Sequence, residues 1–280
     1  MKLIADSGAT KSDWVLIDKS GERMSFQLLG MNPFYIGSDK IIEILAHDIV
    51  PFTDQKKISE IHFYGAGCSS ANKKMMIEEA IQKVFKNSRI RVESDLLGAA
   101  RALFGNKEGL ACILGTGSNS CYYDGQSIVK TLPSLGYFFA DEGSGAHMGK
   151  IFIKDYLLGN LPEKIEESFK REFNYTRDNI LDAIYNMPFP NRFLASFCDF
   201  YTDHISDKYI FELVTNSFRE FFINHIKKYP NHKEVPVSFV GSVAYYFEAH
   251  LHKIGKEFEV NIEKVIQSPI TGLVSYHRNK

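Results

Sequence analysis

The stretch LIADSGATKSDWVLID, residues 3–18, decides how the rest of the chain reads. An apolar run stops at Asp6, passes through Ser7, Gly8, Ala9 and Thr10, and a second apolar run has resumed by residue 13. Each run is strand-like, and a glycine among small hydroxyl residues makes the break a bend between two strands. A third run, residues 24–29, follows a Lys19-Ser20-Gly21 turn, so the chain opens as an antiparallel meander.

Beyond the meander, Ile41, Ile42, Leu45 and Ile49 recur at helical spacing across residues 38–49. EIHFYGAG then reads as a buried strand, SANKKMMIEEAIQKVFKN as an amphipathic helix, RIRVESD as a strand and LLGAARALFG as a helix stopped by Gly105. The order is βββαβαβα. The opening pattern recurs in LACILGTGSNSCYYDGQSIVKTL, where strand, glycine-hydroxyl turn, strand, turn and strand follow one another. Laying Asp6 on Gly115 puts glycine on glycine, Gly8 on Gly117, which indicates an internal duplication.

The second half carries an insertion. From Ser144 to about Tyr229 the apolar residues keep helical spacing, and only then do a strand, VPVSFVG, a helix, SVAYYFEAHLHKIG, and a short terminal helix, SPITGLVSYHR, appear. The expected fold is therefore α/β, with domains at residues 1–107 and 108–269 and a helical insertion at about 150–230. No Pro-rich linker separates the two, so they are expected to pack around an interdomain cleft.

Composition sets the limits of function. The 280 residues are 44% hydrophobic, and 33 basic residues against 34 acidic ones leave a net charge of -1. The mixed signs offer no stripe for a polyanion, so no nucleic-acid partner is expected. Asp6 and Asp13 interrupt the place where a signal peptide would be apolar, and no 18-residue stretch stays apolar, so neither a leader nor a membrane span is expected. Cys68, Cys112, Cys121 and Cys198 form no CxxC pair, as suits buried thiols in a reducing compartment, and the protein reads as cytoplasmic.

Several residues could carry chemistry. The bend at Ser7, Gly8, Ala9 and Thr10 is either a plain polar hairpin turn or a nest of amides and hydroxyls for phosphate oxygens, with Lys11 adding positive charge and Asp6 placed for a hydrated Mg²⁺. Gly115, Thr116, Gly117, Ser118 and Asn119 form a second such turn, and two nests together could grip one nucleotide. No GxxxxGK[ST] sequence occurs, so this is no P-loop. Asp95, between a strand and a helix, is either an N-cap or a general base for a hydroxyl that attacks a γ-phosphorus. In SLGYFFADEGSGAHMGK, Asp141 is either part of an acidic helix start or an acceptor for sugar hydroxyls, with Gly136, Tyr137 and Phe138 beside it. Asn32 offers an amide for a hydroxyl or N-acetyl group, or marks an Asn-Pro turn. Gly241 and Ser242 end a strand and open a helix, where an adenine could lie or where helix and strand merely pack closely.

DSGATKSDWVLID, ESDLLGAA, GTGSNS, GYFFADEGSG, FVGSVA and SPITGLV resemble, in order and spacing, the motifs of the acetate and sugar kinase, heat-shock chaperone and actin superfamily. The resemblance is to its N-acetylglucosamine kinase and BadF-type ATPase branch. It implies two ribonuclease-H-like domains of the actin-like ATPase fold, a requirement for ATP and Mg²⁺, and a C-terminal helix, residues 270–280, that packs back on the first domain. It also implies that Asp95 takes the proton of a sugar 6-hydroxyl and that Asn32 and Asp141 bind sugar hydroxyls. Asp6 lies near Mg²⁺ in the same scheme, Thr10 and residues 115–119 fall on the phosphate loops, and Gly241 falls on the adenosine motif. Tyr137 and Ala140 stand where the family usually has Trp and Gly, which bears on the sugar rather than the reaction. The expected partner is a small amino sugar, N-acetylglucosamine or N-acetylmuramic acid, and a homodimer is left open. The alternatives are a BadF-type ATPase activator with a subunit-bridging iron-sulfur cluster, disfavoured by the cysteine spacing, and a sugar sensor without turnover.

Overall fold

Leu3, Ile4 and Ala5 are wholly buried because their strand, β1 (Lys2–Ser7), lies in the middle of a five-stranded sheet. The computed structural model describes residues 1–18, 20–21 and 23–278. β1 pairs antiparallel with β2 (Lys11–Ile17), and β2 with β3 (Arg23–Leu29), which closes the expected meander. Of the expected turn before β3, Lys19 lies outside the described residues, while the Gly21 N–H donates to the Asp18 carbonyl. Then follow α1 (Ser38–Asp48), β4 (Glu60–Gly65), α2 (Ala71–Val84), β5 (Arg89–Ser94) and α3 (Asp95–Phe104). β4 joins β1 and β5 joins β4, both parallel, so the sheet order is β3-β2-β1-β4-β5.

Period two explains the core of this unit. Leu3, Ala5, Ile61, Phe63, Ile90 and Val92 point to one face and meet Ile41 and Leu45 of α1 and Ile77 and Ile81 of α2. Trp14 packs there against Phe63, ring centroids 5.6 Å apart. Ser70 caps α2 by accepting from the Lys73 N–H, and α3 ends at Gly105 with φ 63°.

The second unit repeats the plan. β6 (Gly109–Leu114), β7 (Ser118–Tyr123) and β8 (Ile128–Thr131) open it. The insertion follows as α4 (Gly136–Phe139), α5 (Gly145–Leu158), α6 (Glu163–Phe173), α7 (Arg177–Tyr185), α8 (Pro190–Ala195), α9 (Cys198–Asp203) and α10 (Lys208–Asn224). Next come β9 (Val237–Val240), α11 (Ser242–Tyr246), α12 (Glu248–Glu257), β10 (Ile262–Ile266) and α13 (Ile270–Arg278). The second sheet runs β8-β7-β6-β9-β10, strand for strand the order of the first. Phe152 at the centre of α5 meets Phe169, Phe197 and Phe200, mostly edge to face, and gives the helical insertion a core of its own.

By internal contacts, one unit comprises Met1–Lys107, Asp124–Ile128 and the chain from Ser268 onward, and the other Glu108–Tyr123 and Val129–Gln267. α13 belongs to the first unit, packing on α3, β1 and β2; residues 279 and 280 of the expected terminal helix lie outside the described residues. Two expectations fail locally. SVAYYFEAHLHKIG is two helices, broken at Phe247, whose side chain is buried. β10 was not expected: IEKVI is a charged sheet-edge strand whose side chains do not alternate cleanly between core and solvent.

Candidate active site

In the first unit the β1–β2 bend is short. The Gly8 N–H donates to the Lys11 carbonyl at 2.9 Å, and the Gly30 N–H donates to Thr10 O at 3.0 Å. A Cβ on Gly30 would stand 2.5 Å from Gly8 O, so the bend rests directly on the end of β3. Thr10 and Lys11 are exposed. The Ser7 side chain is wholly buried, and its hydroxyl accepts from the Met31 N–H at 2.8 Å, so it braces the bend from beneath.

Register places Asp13 opposite Asp6, on the same face of the hairpin. Lys11 Nζ is 3.6 Å from Asp13, and Gln27 donates to the same carboxylate. Burial, then the negative charges of Asp95 and Asp13, push the Asp6 carboxyl up to about 8, against which Lys11 works only weakly. Asp13 was missed from sequence, yet counting outward from a two-residue tip at Ala9 and Thr10 would have paired it with Asp6. Carboxylates whose mutual repulsion is so poorly offset suit a divalent cation, and Mg²⁺ takes one or two carboxylates while keeping waters and phosphate oxygens. Among the described residues no group of three or more His, Cys, Asp or Glu is arranged to hold a metal.

Asp95 is not the N-cap of α3. Ser94 takes that place, its hydroxyl accepting from the Leu97 N–H, and Asp95 is the first helical residue, one oxygen accepting from the Leu96 N–H at 2.8 Å. Burial raises its pKa while the Leu96 amide and its own lower it. With the cap supplied by Ser94, the second oxygen of Asp95 is available for a proton. Asn32 is buried; its Oδ1 accepts from the Phe34 N–H, which leaves Nδ2 as a donor. Gly67, at φ 81°, makes room for it, since a Cβ there would lie 2.4 Å from Asn32 Oδ1.

In the second unit the turn of Gly115, Thr116 and Gly117 is pinned by α5. The Gly145 and Ala146 N–H groups donate to the carbonyls of Gly115 and Thr116 at 2.9 and 3.1 Å. Asp141 lies against the same turn: it accepts from the Ser118 N–H at 3.3 Å, and a Cβ on Gly117 would touch its carboxylate at 3.0 Å. Asp141 holds φ 64°, the left-handed region, which a residue with a side chain adopts at a cost of about 1–3 kcal/mol. Its carboxyl is raised by burial foremost and by Glu142. Sequence assigned Asp141 and Ser118 to different ligands; the fold makes them neighbours. Ser118 Oγ is buried with no hydrogen-bond partner among the described residues, while Asn119 turns its side-chain oxygen to the Ser120 N–H.

The acids are not the helix cap either. Ser144 caps α5 by accepting from the His147 N–H, leaving Asp141 and Glu142 in the loop before it. The Gly143 N–H donates to Ser217 Oγ at 3.1 Å, and the Ser217 hydroxyl reaches His147 Nδ1 at 2.8 Å. Asn224 donates to Glu142 at 2.8 Å. These braces, from α10, were not legible in the motif. Gly136 opens α4 at φ 72°, Tyr137 packs on the core, and Phe138 is exposed. Gly241, at φ 128°, passes so close to β6 that a Cβ would lie 2.1 Å from Leu114 O; Ser242 beside it is exposed.

No family model and no curated protein matches the chain. Among solved structures, one from Porphyromonas gingivalis, provisionally named an N-acetylglucosamine kinase, is 42% identical over 100% of this chain and 99% of its own, with a TM-score of 0.95. A second bearing the same provisional name, from Chromobacterium violaceum, is 15% identical over 98% of each chain, with a TM-score of 0.75. The hexokinase of Schistosoma mansoni, solved with glucose, is 14% identical over 99% of this chain and 85% of its own, with a TM-score of 0.54. The last two share the fold.

Proposed function

The chain belongs to the N-acetylglucosamine kinase-like family of sugar kinases with the actin-like ATPase fold, and from that premise we propose that it transfers the γ-phosphoryl group of ATP to the 6-hydroxyl of an amino sugar. N-Acetylglucosamine is the first candidate, on the provisional names of the Porphyromonas and Chromobacterium proteins, and N-acetylmuramic acid the second. Asp95 carries the reading: a half-buried carboxylate of raised pKa, with one oxygen held by the Leu96 amide and the other available, is equipped as a general base.

In the proposed step, the O6 proton passes to Asp95 as the O6–P bond forms and the bond from phosphorus to the β-phosphate oxygen breaks, releasing ADP. Amides of the β1–β2 bend and of the Gly115 turn would bind phosphate oxygens, with Thr10 adding a hydroxyl. Asp6 and Asp13 would hold Mg²⁺, which when bound supplies charge neutralisation for the phosphates. Asn32 Nδ2 and Asp141 would orient sugar hydroxyls, and Gly241 and Ser242 would border the adenine. The thiols of Cys68 and Cys198 are pushed up to about 12 by burial, which suits reduced structural cysteines of a cytoplasmic protein better than ligands of a cluster.

Coupled measurement of ADP release against N-acetylglucosamine, N-acetylmuramic acid, glucosamine and glucose tests this. At least one amino sugar should stimulate turnover, and Asp95→Asn should lower kcat about 10²–10⁴-fold. Absence of stimulation by every sugar would sink the kinase; undiminished turnover in Asp95→Asn would sink only the base.

A further inference from the structure

On the sheet of the first unit, the face opposite the apolar core is polar. The alternation in β4 and β5 that sends Ile61, Phe63, Ile90 and Val92 to the core sends His62, Tyr64, Arg91 and Glu93 the other way. That face lies toward α3 and α13. Cover alone would be served by aliphatic side chains, because burying hydrogen-bonding groups costs free energy unless they are paired. Instead a cavity of about 240 Å³ opens here.

Its walls have two chemistries. Lys2 from β1, Arg91 from β5 and Arg101 from α3 bring three permanent positive charges. Of the two carboxylates present, Glu93 is engaged by Lys74 outside the cavity at 2.5 Å, and Glu60 by His62 at 3.1 Å and, more loosely, by Lys2 at 3.9 Å; the Lys2 ammonium also donates to the His277 carbonyl at 3.0 Å. Arg101 donates to the Tyr64 hydroxyl at 2.9 Å, which also meets His277 Nε2 at 2.8 Å, so its guanidinium is held in place. Arg91 stands exposed. The other wall is flat: the His62 and His277 rings stack at 3.8 Å.

We propose that this cavity is a second ligand site, separate from the candidate active site, that takes a phosphate dianion, free or as the monoester of a small polyol. The guanidinium groups of Arg101, held in place, and Arg91, at the rim, together with the Lys2 ammonium match phosphate oxygens, and stacked rings with the Glu60 carboxylate match the face and hydroxyls of a sugar. The volume falls below the roughly 300–1000 Å³ of drug-sized ligand clefts, which disfavours a nucleotide.

The test is a titration of the full chain with inorganic phosphate, with glucose 6-phosphate and with glucose, at matched ionic strength. It reads the imidazole NMR signals of His62 and His277, and calorimetry gives the affinity. Saturable shifts of both signals with a phosphate compound, weakened at least tenfold in Arg91→Gln and in Lys2→Gln, are expected. Tighter binding of glucose 6-phosphate would identify an ester as occupant, and equal binding the free ion. The proposal is overturned if neither phosphate compound moves the two signals, if glucose moves them as well as glucose 6-phosphate does, or if both variants bind as the parent does. The two variants touch neither Asp95 nor the phosphate bends, so sugar-stimulated ADP release in them should stay at the parent level when no phosphate compound beyond ATP is added.

Discussion

His147 shows how one residue's burial becomes a property of the protein. Desolvation foremost, then the positive charge of Lys150, depresses its pKa from 6.5 to about 4. Its Nδ1 shares a hydrogen bond with the Ser217 hydroxyl, which accepts from the Gly143 N–H beside Asp141 and Glu142. Between pH 6.5 and 4 the unfolded chain takes up a proton at this residue that the folded chain refuses. Stability from this group is therefore full above pH 6.5 and falls on acidification, by about 3 kcal/mol once pH 4 is passed. Urea unfolding at pH 7 and pH 4.5 should show the fall, and His147→Gln should show less of it; equal falls would refute the assignment. Gly241 makes a sharper case. An alanine there would meet Leu114 O at 2.1 Å and hold φ 128°, so Gly241→Ala should lose about 2–4 kcal/mol, read by the midpoint of circular dichroism melts.

At the scale of elements, what was legible in the sequence had a short period. The hairpin β1–β2, the helices α1 and α2, and the stop at Gly105 follow from spacing and turn chemistry within a dozen residues. The cap of α3 was misread by one residue because Ser94 and Asp95 are both good caps, and only the backbone decides which hydroxyl or carboxylate reaches the Leu97 amide. β10 and the break at Phe247 were invisible because tertiary packing determines both. The braces on the Asp141 loop come from α10, more than 70 residues on, beyond any local pattern. The helical insertion was seen, but not its centre. Phe169 of α6 is wholly buried among Phe152, Phe197 and Phe200, so Phe169→Ala should destabilise by about 3–5 kcal/mol. A loss below 1 kcal/mol would mean that the cluster repacks around the gap.

For the whole molecule, the duplication seen as two glycine turns extends to two sheets of identical strand order, yet the chain does not divide at one point. The first unit is completed by α13, from the far end, which buries Leu273, Val274 and Tyr276 and joins His277 to Tyr64 of β4. Trp14, the one tryptophan of the sequence, is buried in that same unit and reports on it alone. Ending the chain after Gln267 would strip cover from α3, β1 and β2 while leaving the aromatic core of the other unit complete. The shortened chain should lose much of the blue-shifted Trp14 emission, or show that transition at lower urea, with strong protection from hydrogen exchange retained in β6, β9 and α5. Uniform loss of exchange protection in both sheets would mean that the units fold only together, and an unchanged Trp14 transition would mean that α13 contributes little to the sheet it covers.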